Sequence, residues 1–170
     1  MKDLMEIIHN RKTIRRYQER PIEEDILRQV LDCAVQSPTA MNRQARKYTV
    51  LQDKMQMQRL EQAVQSALER NSYSFNNPAA FIFISVPRDL ENGMADTSCA
   101  MQNMMLASTY LDLGSCWINQ LKHCYDDPGV REILTDCHIP EDHVVYACLA
   151  LGYPDQDPAP KEKSEWIEFL

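Results

Sequence analysis

The sequence predicts one domain built as an α+β or α/β sandwich, and three observations carry that expectation. A length of 170 residues suits a single ordinary domain with a real core. Apolar content of 44% and charged content of 25% are globular values, which set aside disorder and fibrous repeats. Short β-favouring runs alternate with stretches of helical periodicity, with no internal repeat or linker, so residues 1–170 form one unit.

Leu4, Ile7 and Ile8 recur at helical spacing until Asn10, so a short helix delivers the cationic stretch that begins at Arg11. After Pro21, Glu23, Glu24 and Asp25 suit the positive end of a second helix. Its buried stripe is Ile26, Leu27, Val30, Leu31, Ala34 and Val35, and Ser37-Pro38 ends it. Residues 48–52 predict a strand, and 54–70 an amphipathic helix on Met57, Leu60, Val64, Ala67 and Leu68. The continuous apolar run at 80–86, AFIFISV, predicts a central strand covered on both faces. Residues 96–113 are apolar nearly all round and predict a buried helix, with Asp96 as its cap and Gly114 as its stop. A strand at 116–118, a short helix at 128–134 and a last strand at 144–151 complete the domain. The tail, 155–170, carries Trp166, Ile167, Phe169 and Leu170, and is expected to dock either on its own domain or on a second subunit.

Composition excludes several functions. A net charge of −7 and a pI near 5.1 argue against nucleic acid as partner. The four glycines, Gly93, Gly114, Gly129 and Gly152, stand apart, so neither a GxGxxG nor a GxxxxGK[ST] motif exists. A phosphate must therefore be held by side chains and by amides other than glycine. The longest apolar runs are too short to span a bilayer and the N-terminal one contains charges, so a soluble, cytoplasmic protein without membrane partners is expected. The six cysteines then read as reduced thiols, with Cys33, Cys99 and Cys148 inside apolar patterns as small core residues.

Three polar clusters carry chemistry. Arg11, Lys12, Thr13 and Arg15 offer three cations and a hydroxyl in five residues, a set that can wrap a phosphate monoester or simply complement a helix end. Pro38, Thr39, Ala40, Asn42 and Gln44 make a turn of small and amide residues that suits a flat heteroaromatic ring, or an ordinary polar loop. Lys161 and Lys163 follow a proline-stiffened turn and could meet the same phosphate, or be plain surface.

In combination, the Arg-Lys-Thr-Ile-Arg element, the SPTAMNRQ loop, the apolar strand after Asn77-Pro78, the ADTSCAMQNMMLAS helix, LGSCWI, and LGYP followed by Pro-Lys resemble the FMN-dependent nitroreductase family over nearly the whole chain. The resemblance implies an α+β sandwich with a central mixed, mainly antiparallel sheet flanked by helices. It also implies an obligate homodimer with one FMN at each of two subunit interfaces. Arg11, Lys12, Thr13 and Arg15 match the N-terminal FMN-binding run, and Lys161 and Lys163 its C-terminal phosphate-binding cations. Pro38, Thr39, Ala40, Asn42 and Gln44 match the loop that reaches the flavin largely from the partner chain. Trp117, Ile118, Asn119 and Gln120 match the strand end that approaches the flavin N5. NAD(P)H is the implied transient reductant and a nitroaromatic, quinone or similar small molecule the acceptor, exchanged in ping-pong order. The flavin then supplies the redox chemistry and no amino-acid nucleophile is expected.

One departure stands out: the family commonly has Gln-Pro-Trp where this chain has Gln44-Ala45-Arg46. Arg43 and Arg46 then read either as exposed surface or as positive charge offered to an anionic substrate. Three other readings compete: an FMN-storage protein of the same fold, a thiol enzyme using Cys116 or Cys124 with His123, and a zinc module from Cys116, His123, Cys124, Cys137 and His138. The zinc reading lacks the usual paired spacing.

Overall fold

The computed structural model describes residues 2–169 except 160 and 162, so the expectations for Met1, Pro160, Glu162 and Leu170 lie outside it. In chain order the elements are α1 (Leu4–Asn10), α2 (Glu24–Val35), β1 (Lys47–Leu51), α3 (Lys54–Ala67), β2 (Ala80–Pro87), α4 (Gly93–Tyr110), β3 (Gly114–Ile118), α5 (Pro128–Asp136) and β4 (His143–Gly152). The four strands pair in the order β1-β2-β4-β3, and every pairing is antiparallel. The only parallel component among the described residues is an isolated bridge between Thr13 and Ser115.

Strand alternation explains why β2 is apolar throughout. Phe81 and Phe83 point to one face, where Met57, Leu60 and Val64 of α3 and Val130, Ile133 and Leu134 of α5 cover them. Ile82 and Ile84 point to the other, against Leu27, Val30 and Ala34 of α2 and Ala100, Met101 and Met104 of α4. β4 divides in the same way, with Cys148 and Ala150 on the first face and Ala147 and Leu149 on the second. Both faces being covered, β2 and β4 form the interior of the sheet and leave β1 and β3 as its edges.

Local chemistry sets most helix starts. Asp3 accepts from the Met5 amide at 3.1 Å, Asp53 from Gln56 at 2.8 Å, and Asp127 from Gly129 and Val130, with Pro128 opening α5. Several expectations need correction. Helix α4 begins at Gly93, three residues early, so Asp96 is no cap. Gly114 opens β3 rather than stopping α4. Helix α3 stops at Ala67 because Glu69 turns to a left-handed φ of 52°. Cys33 and Cys99 are exposed rather than core residues, whereas Cys148 is buried. Val35 is 57% exposed although it belongs to the expected stripe of α2.

Candidate functional site

The basic segment after α1 is built into the sheet. Ile14 donates its amide to Ser115 O at 2.9 Å, Gln18 donates to Tyr153 O at 2.9 Å, and Thr13 and Tyr17 bridge to Ser115 and Pro154. The side chains that anchor it lie on glycines. A Cβ at Gly114 would stand 2.6 Å from the Ile14 side chain, and one at Gly152 would stand 2.7 Å from the Tyr17 ring. Two of the four glycines are thus needed because a second chain segment crosses directly above them. Tyr17 donates its hydroxyl to Ile14 O at 2.7 Å, and burial pushes its phenol well above the ordinary range.

With Ile14 turned inward, Thr13 and Arg15 are left exposed and Arg11 and Lys12 half-buried. Arg11 and Arg15 have no carboxylate partner among the described residues. Lys12 pairs with Asp157 at 2.7 Å, and Arg16 with Asp155 at 3.3 Å. The Lys12–Asp157 pair borders a cleft of about 320 Å³ that also includes Thr109, Asp112 and Gln156.

Arg15 lies beside the Cys116 thiol, one residue before the predicted Trp117–Gln120 stretch. Ile118 is buried, Trp117 is half-buried with its indole N–H lacking an acceptor among the described residues, and Asn119 is exposed. Gln120 accepts the Tyr73 hydroxyl at 3.2 Å and the Asn119 amide at 3.1 Å through its Oε1. Asn119 and Gln120 join Leu68, Arg70 and His123 around a polar hollow of about 260 Å³. The structure therefore brings Arg11–Arg15 and Trp117–Gln120 to one edge, and adds Arg70 and Tyr73, which no sequence motif marked. Burial raises the Tyr73 phenol above its ordinary range, keeping it protonated as a donor.

The second cluster sits elsewhere. Residues 38–44 lead into β1, the opposite edge from β3, and three inter-strand spacings separate the edges by about 14 Å. This turn is strained: Met41, Asn42 and Gln44 have φ of 52°, 52° and 51°. Such geometry costs a non-glycine residue roughly 1–2 kcal/mol, less for asparagine. Ala40 donates its amide to Asp96 Oδ1 at 2.9 Å, Asn42 donates to Thr39 O at 3.0 Å, and Gln44 donates its amide to Thr39 Oγ1 at 3.2 Å. Pro38, Asn42 and Gln44 are exposed and Thr39 and Ala40 half-buried.

Arg46 is not the free surface cation that its sequence context suggested. Its guanidinium donates to the Ser37 hydroxyl and, at 2.9 Å each, to Ser37 O and Asp96 O. Lys161 and Lys163 are exposed and make no ion pair with a described residue, so within one chain they do not join the Arg11–Arg15 group. Around them Trp166, Ile167 and Phe169 are 90%, 78% and 94% exposed, so their own domain does not cover these three, although Asp155 and Asp157 at the start of the tail do pair with Arg16 and Lys12.

The structure disfavours the thiol reading. Cys116 and Cys124 are buried, His123 is exposed, and burial raises both thiols, Cys124 to about 11, which holds them protonated and poorly nucleophilic at neutral pH. Among the described residues no three His, Cys, Asp or Glu side chains gather closely enough to hold a metal ion, so the zinc reading has no ligand set there. No helix among those residues is long and apolar enough to cross a membrane.

The fold and the cations laid against β3 define a three-layered α+β protein, one antiparallel sheet with helices on both faces, and a polar edge suited to an anionic ligand. The profile of the Nitroreductase family matches residues 8–153, and the chain belongs to that family, a family of oxidoreductases. It is 26% identical over 166 residues to an Archaeoglobus fulgidus protein provisionally named as an NADH dehydrogenase/NAD(P)H nitroreductase, covering 92% of this chain and 88% of the relative. Among solved structures, a nitroreductase with bound FMN from Bacteroides fragilis superposes with a TM-score of 0.90 at 28% identity, each chain covered fully. A nitroreductase with bound FMN from Desulfitobacterium hafniense shares the fold, with a TM-score of 0.87 at 19% identity over 99% of this chain and 100% of the other.

Proposed function

We propose that this chain is an FMN-dependent oxidoreductase that moves reducing equivalents from NAD(P)H to nitroaromatic, quinone or similar acceptors, working as a homodimer with a flavin at each subunit interface. The observation that carries this reading is Arg11 and Arg15, without a carboxylate partner among the described residues, on a segment pinned by main-chain bonds beside Trp117–Gln120, in a chain of the Nitroreductase family. The donor set fits the cofactor. Guanidinium groups and the Thr13 hydroxyl suit a phosphate or the oxygen-rich pyrimidine edge, and although the chain carries a net charge of −7, no described carboxylate pairs with Arg11 or Arg15. When bound, FMN supplies hydride acceptance from NAD(P)H and electron delivery to the acceptor.

The protein's own residues bind, orient and polarise. Cations near the flavin edge stabilise the charge that accumulates on reduction, because donors already in place need no reorganisation. Pro38, Thr39, Ala40, Asn42 and Gln44 lead into the sheet edge opposite the Arg11–Arg15 group of their own protomer, and on this reading a second copy supplies them. The exposed Trp166, Ile167 and Phe169 support the same arrangement, since a partner would cover them and bring Lys161 and Lys163 to a phosphate. An apolar groove of about 540 Å³ between α1, α2 and α4, with Leu4, Ile7, Leu106 and Leu111 in its walls, offers further surface for that partner.

The test is the visible spectrum of purified protein, followed by NAD(P)H oxidation with a nitroarene or quinone. A yellow dimer with parallel double-reciprocal lines is expected. A protein that stays colourless and monomeric when FMN is supplied overturns the proposal, and a yellow dimer without turnover favours flavin storage instead.

A further inference from the structure

Resting on the reading that Pro38, Thr39, Ala40, Asn42 and Gln44 meet the flavin, we infer that Arg46 is the positioning residue that holds this strained turn in its binding geometry. Three of four consecutive positions, Met41, Asn42 and Gln44, adopt left-handed backbone without a glycine. Backbone of that kind persists only where its surroundings over-determine it. Here the internal bonds of the turn, from Asn42 and Gln44 to Thr39, from Arg43 to Ala40 and from the Gln44 side chain to Asn42, close it on itself but anchor it to nothing else.

The anchorage comes from two groups, the half-buried Arg46 and the buried Asp96. Arg46, immediately after the turn, reaches back to both the hydroxyl and the carbonyl of Ser37, immediately before it. One guanidinium thereby ties the two ends of the turn together. The same group donates to Asp96 O, fixing both ends to the first turn of α4. Ser37 is itself buried and donates its hydroxyl to Ala34 O at 2.7 Å, so the bonds made by Arg46 run directly into the end of α2. From α4, the Asp96 carboxylate accepts the Ala40 amide inside the turn. Asp96 is only 4% exposed, and its second oxygen has no partner among the described residues, so the carboxylate is held in place by the Ala40 amide alone.

A planar guanidinium with a fixed fork can serve three acceptors on two elements at once. A lysine, with one nitrogen at the end of a flexible stem, cannot reproduce that geometry. Arg43, three residues earlier in the chain, is exposed and makes no side-chain hydrogen bond with a described residue, so it supplies the matching charge without the clamp.

The test uses full-length protein carrying Arg46→Gln, Arg46→Lys or Arg43→Gln, with two readouts. Amide hydrogen exchange over residues 39–44 is measured without flavin, and FMN affinity is measured by flavin fluorescence together with the visible circular dichroism of the bound ring. Arg46→Gln is expected to speed exchange in the turn by at least about tenfold, with α3 unchanged. It is also expected to weaken FMN binding by roughly tenfold and to alter the dichroism of whatever flavin remains bound. Arg46→Lys should fall between it and wild type, and Arg43→Gln should match wild type. Wild-type exchange and affinity in Arg46→Gln, or equal losses in Arg43→Gln, would overturn the inference. Should Arg46→Gln fail to fold, Arg46→Lys decides on the same readouts. Wild-type protein that binds no FMN contradicts the functional proposal alone, because the exchange measurement decides the clamp without flavin.

Discussion

The basic segment at residues 11–17 and the C-terminal tail both carry cations assigned to the same phosphate, yet the molecule treats them differently. The segment is laid on β3 and β4 by main-chain hydrogen bonds, with Ile14 and Tyr17 resting on Gly114 and Gly152. The tail has Trp166, Ile167 and Phe169 in the open, and Lys161 and Lys163 engage no described acid. One is held within a protomer, and the other, under the proposed dimer, is covered by the partner. The contrast separates what a single chain can pre-organise from what association must add.

The sharpest way to break the contrast is to unseat the built-in half. Gly114→Val places side-chain carbons where Ile14 already stands, so the segment should lift from β3. The expected result is loss of FMN binding by at least about a hundredfold, with a stability loss of about 1–3 kcal/mol of the kind that overpacking causes. Flavin titration and thermal denaturation check both.

Removing the other half should separate folding from assembly. A chain ending at Asp157 is expected to keep the melting temperature of flavin-free protein within a few degrees, since the exposed tail contributes little to its own core. It should dimerise more weakly, by roughly tenfold or more, and bind FMN more weakly as well because Lys161 and Lys163 go with the tail, as sedimentation at graded concentration and flavin titration would reveal. A tail required for folding would instead lower the melting temperature as much as a core substitution does.

A smaller effect is expected where the two regions touch. Lys12 and Asp157 form an exposed pair, worth about 0–1 kcal/mol, that competes with any phosphate for the lysine. Asp157→Asn should therefore tighten FMN binding by a few-fold at low salt, with the gain fading as salt rises. Unchanged or weaker affinity would mean that Lys12 does not face the phosphate.

The smallest effect concerns pH. Glu23 accepts the Tyr153 hydroxyl at 2.7 Å and pairs with Arg20 at 2.9 Å, and these contacts hold its carboxyl down to about 2. A carboxyl lowered on folding contributes stability above its ordinary value near 4.5 that is lost as pH falls toward 2. The difference in melting temperature between wild type and Glu23→Gln should be constant above about pH 5 and shrink below it. A difference that is flat from pH 6 to 3 would contradict the assignment.

Much of this was legible in the residues, and the exceptions have physical causes. The run AFIFISV announced β2 because both its faces are covered, which leaves no polar alternation to misread. The Arg11–Arg15 element was visible as charge, but its placement depended on Gly114 and Gly152, and no local pattern says which side chain will cross a glycine. Asp96 looked like a cap because caps and buried acceptors use the same residue types; only the distant Ala40 amide distinguishes them. Arg46 looked like surface because its partners, Ser37 and the Asp96 carbonyl, come from both sides of it in the chain. Leu4 and Ile8 fit a helical stripe and yet are 61% and 43% exposed, since periodicity reports an apolar face and not what covers it.

The central claim is that the two halves of each flavin site come from opposite sheet edges of different protomers, and mixed dimers test it most directly. One variant carries Arg11→Ala and Arg15→Ala, and the other Asn42→Ala and Gln44→Ala. Each alone should bind FMN weakly. Unfolded and refolded together, they should regain wild-type affinity at about one site in four, the statistical share of sites that receive an intact half from each protomer. No recovery in the mixture, with dimers demonstrably exchanged, would place both halves in the same chain and contradict the account.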